Sequence, residues 1–406
     1  MFIIQARYMF LCDESFTILE NKAFVFEELI IELGDLEFLQ KKYPQATLIK
    51  TPKDCIILPA FINPHTHLEF SANSCSLHYG DFLEWLKSVM NSRTNLRQKA
   101  GLTLIKQSLN AMLKSGTGTV GEISSFGSDL KACVQSPMRV VFFNELLGVN
   151  KAFNEEKKSE FLSRFEQSKK FKSKLFIPAL SLHGTYSTNE NLALFLLDLA
   201  QKNDLLISTH FLESEYEAKW LNGGKGKFKE WLKFFDKKPK PSYTPQSFVR
   251  LFAKQRTLFT HCVWLKDFSF FNPNLHFITH CAFSNRLLSQ KTFALKKALQ
   301  NEMCVNIGTD GLSSNISLSM LDEMRANLLI HQDFEPNSLA KTLIKMATCN
   351  GARALNLNLG EIKAGKIADF SVFKMGECEL NQLPLQFILN ARKVNKIFIQ
   401  GKECRL

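Results

Sequence analysis

Along the middle of the chain, hydrophobic positions alternate between two periods. Short apolar or β-branched runs are separated by longer stretches with apolar residues at i, i+3 and i+4. The runs are CIILPAFIN (55–63), TGTVGEIS (117–124), MRVVFFNELL (138–147), LFIPALSLH (175–183), LLISTH (205–210), RTLFTH (256–261), LHFITH (275–280) and CVNIGTD (304–310). Each reads as a buried strand, and an intervening stretch such as TLIKQSLNAMLKSG, closed by glycine, reads as a helix. Strand–helix alternation repeated eight times predicts an α/β fold, a (β/α)8 TIM barrel, because crossover helices must cover the outer face of a parallel sheet. The interval 262–274 is short for its helix. Both ends of the chain are β-rich, with FIIQARYMFLC, AFVFEELIIELG and TLIKT first, and ADFSVFK and VNKIFIQGKEC last.

Chemistry in such barrels sits at the C-terminal ends of the strands. Five of the eight runs end on His183, His210, His261, His280 or Asp310, and the first leads directly into His65 and His67. Alternate residues of an extended segment face the same side, so His65 and His67 can address one ion. Zinc accepts imidazole nitrogen and carboxylate oxygen, and a catalytic site keeps one position for water. His210 and Asp310 would complete that shell. The plainer readings are a core histidine bonded to a backbone carbonyl for His210 and a helix N-cap for Asp310.

Composition narrows the setting. The chain has 406 residues, 45% of them hydrophobic, enough for one large barrel and a smaller unit. The net charge of +12 comes largely from lysines crowded in 151–174 and 219–240, which read as solvated helix faces and loops. No nucleic-acid reader motif accompanies them, so no nucleic-acid partner is expected. The ten cysteines, Cys75 among them, form no CxxC pair, which argues against a zinc knuckle or a disulfide framework. The N-terminus lacks the plan of a secretory signal, and no stretch reaches the ~18 apolar residues of a membrane span. A cytoplasmic enzyme without a membrane partner is expected. The HxE…PCxxC signature of zinc-dependent nucleobase deaminases is absent.

PAFINPHTHLEF, HFLESEYE, THCVW, HCAFSN, GTDGLSSNISLSMLDEMR and GEIKAGKIADFSVF together resemble the amidohydrolase superfamily, in its adenosine-type deaminase and chlorohydrolase branch, over nearly the whole chain. The resemblance implies a small β-sandwich formed by both termini, with boundaries at 1–55, 56–357 and 358–406. It implies one Zn2+ held by His65, His67, His210 and Asp310. Fe2+ suits the same donors. Binuclear relatives carry a carboxylated lysine where His183 stands, so a single metal is expected, with His183 a substrate contact. HGTYS departs from the HAPYT common in the family at this place. Relatives are often homodimers.

The implied reaction is hydrolytic deamination of a purine nucleoside at C6. Glu213, three residues past His210, is the expected proton shuttle, with Glu217 a more structural neighbour and Lys219 a competing partner. His261 would orient the attacking water, and Asp310 would take its first proton. Trp85, with Glu84 as a ribose contact, is expected to wall the pocket, unless 82–89 is an ordinary amphipathic helix. Arg139 and Glu145 flank the third run and could reach substrate. Ser284 and Asn285 read as loop-shaping and His280 as structural. The expected substrate is 6-amino-6-deoxyfutalosine, an adenosine extended at 5′ by a carboxyphenyl ketone, ahead of adenosine. The lysines of 219–240 could meet the carboxylate, or the segment could be a flap. An amidohydrolase of guanine, cytosine or chlorotriazine rings would keep the metal donors, whereas a scaffold barrel would not need them.

Overall fold

A computed structural model describes residues 1–73 and 77–406; Cys75 lies outside the described residues. Eight strands form one parallel sheet in sequential order: β1 (Phe61–Thr66), β2 (Thr117–Ser124), β3 (Arg139–Leu146), β4 (Phe176–Gly184), β5 (Ile207–Phe211), β6 (Thr257–His261), β7 (His276–His280) and β8 (Cys304–Ile307). The backbone N–H of Asp310, just past β8, donates to the carbonyl of His65 in β1 at 3.1 Å and closes the seam at the mouth. This is the (β/α)8 barrel.

The crossover helices follow the amphipathic stretches. Helix Glu190–Asn203 buries Leu192, Ala193, Leu196, Leu197 and Ala200 against the sheet, a stripe at helical spacing. The Asn189 side chain caps its first turn, and Asp204 ends it in a left-handed conformation. Between β6 and β7 no helix forms. Inside the barrel, Ile62, Val141, Phe143, Leu258 and Phe277 cluster with Ala352 and Leu355 of the last barrel helix region. They seal the end opposite the mouth.

The run 55–63 is two strands rather than one. Cys55–Pro59 pairs antiparallel with Phe370–Lys374, and only Phe61–Thr66 enters the barrel. The break falls at Ala60, whose N–H bonds the carbonyl of Asp369 at 3.0 Å. Cys55–Pro59 belongs to a six-stranded sheet built from both termini, which packs on a four-stranded N-terminal sheet. Phe24, Phe26, Ile57, Phe370 and Phe398 fill the space between them. The termini thus make the small sandwich.

Candidate metal centre

Five strand ends at the mouth deliver the polar side chains. His65 and His67 leave β1, His183 leaves β4, His210 leaves β5, His261 ends β6 and Asp310 follows β8. Leu212, His261 and Asp310 have positive φ (49°, 74° and 58°). A side chain in that region costs on the order of 1–3 kcal/mol, a strain that clusters at functional sites. Two glycines of the NIGTDG segment let it approach β1. A Cβ on Gly308 would lie 2.7 Å from Thr279 Cγ2 and 3.1 Å from His65 Cβ, and one on Gly311 would lie 3.0 Å from His67 Cβ.

The four predicted metal ligands come together. Their nearest donor atoms are spaced at 3.2 Å (His67 Nε2 to His210 Nε2), 3.4 Å (His67 Nε2 to Asp310 Oδ1) and 3.7 Å (His65 Nε2 to Asp310 Oδ1). One ligand atom from each of the three histidines lies within 4.8 Å of the others. Four donors at ~2.0–2.1 Å from a tetrahedral zinc would stand roughly 3.4 Å apart, which matches these spans. The partners of the rings agree. His210 Nδ1 faces the carbonyl of His183 at 2.8 Å, so that nitrogen carries the proton and Nε2 presents a lone pair. His65 Nδ1 meets Thr260 Oγ1 at 3.2 Å, while its buried Nε2 has no hydrogen-bond partner. A buried imidazole nitrogen left unpaired is costly unless an ion takes its lone pair. The residues fit a divalent cation.

Burial and the neighbouring rings favour the neutral form of His67, His210 and His261, the form in which an imidazole binds a metal. His67 and His261 are pushed down to about 4, mainly by burial, and His210 falls well below the ordinary histidine range for the same reason, reinforced by His65 and His183. Burial works against ionisation of Asp310, but the adjacent imidazoles of His65, His67 and His261 hold its carboxyl well below the usual range. Ser284 Oγ and Ser314 Oγ each donate to Asp310 Oδ2 at 2.8 Å, and Gly311 N–H donates to Oδ1 at 2.9 Å.

Glu213 stands beside this cluster, its Oε1 3.6 Å from His261 Nε2. Burial, with Asp310 and Glu217 adding negative potential, raises its pKa well above the usual value and so favours the protonated carboxyl. Lys219 does not compete for it, being paired with Glu215 at 2.9 Å. Glu217 accepts from the Glu213 backbone N–H at 2.9 Å and from Thr185 Oγ1, which makes it the support of Glu213. Asn285 accepts from His261 Nδ1 at 2.9 Å and thereby turns Nε2 toward Glu213 and Asp310. Ser289, four residues on, donates to the Glu213 carbonyl. His280 bonds Asn285 at 3.0 Å and His331 at 3.1 Å, away from the metal ligands.

A cavity of about 230 Å³ opens in front of the centre, walled by Phe70, Trp85, Tyr186 and Trp231, with Glu145, His183 and Glu213 among its polar groups. Trp85 Nε1 donates to the Ser313 carbonyl at 2.9 Å. His183 Nδ1 meets Ser187 Oγ at 2.6 Å, and Glu145 Oε2 accepts from Ser125 Oγ at 2.5 Å. Two expected contacts lie elsewhere. Glu84 does not line the cavity; it is exposed and paired with Lys87 at 2.8 Å. Arg139 sits at the opposite end of β3, buried in an ion pair with Asp369 at 3.0 Å that ties the barrel to the sandwich. The segment 219–240 turns Trp231 into the cavity, whereas Lys219 and Lys233 pair with Glu215 and Glu230. Sequence reasoning missed Glu69, which accepts from the N–H groups of Ser125, Phe126 and Ser128 at 2.8 Å and shapes the loop beside the pocket. HLEF carries Glu69 two residues past His67, the one local signal for it.

An eight-stranded barrel whose mouth gathers histidines and an aspartate around a cation site defines a metal-dependent hydrolase. The chain belongs to the Amidohydrolase family, whose model matches residues 56–404. It is 40% identical to aminodeoxyfutalosine deaminase of a Nitratiruptor species over 392 residues, 95% of this chain and 96% of that one. It is also 40% identical to adenosine deaminase of Helicobacter pylori over 409 residues, 98% of each. The crystal structure of Helicobacter pylori aminofutalosine deaminase in complex with methylthio-coformycin superposes with a TM-score of 0.95 at 38% identity, covering all of both chains. The protein is a hydrolytic deaminase with a divalent-metal centre. Among its described residues, no helix is long and apolar enough to cross a membrane.

Proposed function

We propose that the protein uses one zinc ion to convert the 6-amino group of an adenine nucleoside to the 6-oxo form with release of ammonia. The preferred substrate is 6-amino-6-deoxyfutalosine. The observation that carries this reading is the pairing of a tetrahedrally spaced donor set with a buried Glu213 whose Oε1 lies 3.6 Å from His261 Nε2. Zinc, when bound, supplies a nucleophile at neutral pH by lowering the pKa of its water toward ~7. The remaining work falls to side chains. Glu213 delivers its proton to ring N1, which makes C6 electrophilic, then takes the hydroxyl proton left on C6 and passes it to the departing amine; the proton first taken by Asp310 returns to Glu213 as ammonia leaves. Asp310, ionised and held by three donors, accepts the first proton from the attacking water. His261, neutral and fixed by Asn285, offers its Nε2 to the same water. The aromatic walls accept the purine face, while His183 and Glu145 stand where polar edges of base or ribose would meet them.

The name of the Nitratiruptor relative favours the 5′-extended substrate and that of the Helicobacter sequence favours adenosine. Ammonia release by metal-assayed protein from 6-amino-6-deoxyfutalosine, adenosine, 5′-deoxyadenosine and guanine separates these readings. The proposal expects about one zinc per chain and the highest kcat/KM on 6-amino-6-deoxyfutalosine. Turnover of guanine alone would overturn it. The reading includes a cytoplasmic setting, supported by free thiols at all nine described cysteines. It also includes a homodimer, which light scattering tests.

A further inference from the structure

The substrate cavity is electrically uneven. Glu145, Glu213 and Asp310 crowd the metal end, and among its described lining residues Arg93 is the one lysine or arginine. Arg93 lies on helix Phe82–Lys99, which also gives the cavity Trp85, Leu86, Val89 and Met90. Trp85 is anchored to Ser313, three residues past Asp310. Eight residues further along a helix, at about 1.5 Å each, Arg93 stands about 12 Å from Trp85 along the axis. Its guanidinium carbon sits 4.3 Å from the centre of the Phe126 ring. Glu69 in turn holds the Phe126 backbone N–H at 2.8 Å. Stacking on an aromatic face fixes the guanidinium plane, and a fork of N–H donors held in a plane suits a planar anion that meets it edge-on.

We propose that Arg93 reads the charge at the 5′ end of the nucleoside, receiving a carboxylate carried on an apolar, aromatic extension that packs on Val89, Met90 and Phe126. The inference rests on the adenine-nucleoside reading above and adds the residue that selects the 5′ group. The polarity of the cavity gives the direction. An anionic end is attracted by Arg93, the one cationic group among the described lining residues, so the substrate enters base first. Lys219 and Lys233 of the lysine-rich segment do not line the cavity and so do not serve this role.

The test uses two substrates that differ only in charge, 6-amino-6-deoxyfutalosine and its methyl ester, with the metal-loaded enzyme. Wild-type protein is expected to prefer the acid, and added salt should narrow that preference. In Arg93→Gln the acid-to-ester ratio of kcat/KM should fall by about 10- to 100-fold, the usual range for a hydrogen bond to a charged group. The loss should lie mainly in KM, and Arg93→Lys should restore part of it. An unchanged ratio in Arg93→Gln would overturn the proposal. If Arg93→Gln fails to fold, a salt-insensitive ratio in the wild type overturns it instead. A wild type that treats acid and ester alike removes the role of Arg93 and leaves deamination standing. A wild type active on guanine but on neither nucleoside removes the substrate reading itself.

Discussion

The two ends of the barrel both bury charge, and they do so in opposite ways. At the closed end Arg139 and Asp369 satisfy each other at 3.0 Å, and Asp369 also takes the Gln400 N–H at 2.6 Å. At the mouth, His65 Nε2, His67 Nδ1 and His261 Nε2 are buried without hydrogen-bond partners, and Leu212, His261, Cys262 and Asp310 have positive φ. A buried charge pair at one end and open imidazole nitrogens of His65 and His261 at the other divide the work between the two ends. The closed end is built for stability. The mouth is built to hold an ion and a substrate.

Mutations should separate the two ends. The largest effect is expected at Glu213: Glu213→Gln should lower kcat by about 10²- to 10⁴-fold while metal content and melting temperature stay near wild type, read by ammonia release, metal analysis and calorimetry. Arg139→Gln should do the reverse. Leaving Asp369 buried and unpaired costs about 3–5 kcal/mol of stability, so denaturant unfolding should shift strongly while the specific activity of the remaining folded protein holds. Asn285→Ala frees the His261 ring and leaves Nδ1 unpaired, a loss of about 1–3 kcal/mol; it should appear chiefly in kcat, with zinc retained. Trp85→Phe removes one hydrogen bond, about 0.5–1.5 kcal/mol, and should raise KM by no more than about tenfold. An Arg139 variant that lost activity while keeping its stability would dissolve the contrast.

Much of the mouth is legible in the sequence, because a strand's last residue and the next loop carry its chemistry in this architecture. Position marks His65, His67, His210, His261 and Asp310 as much as residue type does. The misplacements have local causes. Arg139 opens β3 rather than closing it, so it belongs to the sandwich side of the barrel. Glu84 precedes Trp85 by one residue, and neighbours on a helix point about 100° apart, so a pocket-facing Trp85 turns Glu84 outward. The run 55–63 reads as one strand because its apolar character is continuous, and only pairing reveals that Ala60 divides it. Glu69, Asn285 and Ser289 act through contacts tens of residues away in sequence, which periodicity does not encode.

The central claim is that His65, His67, His210 and Asp310 share one divalent ion. Anomalous diffraction at the zinc absorption edge from crystals of the purified protein tests it directly. The account predicts a single strong peak among the three imidazole Nε2 atoms and the Asp310 carboxylate. A map without density there, or with its peak on other residues, would contradict it.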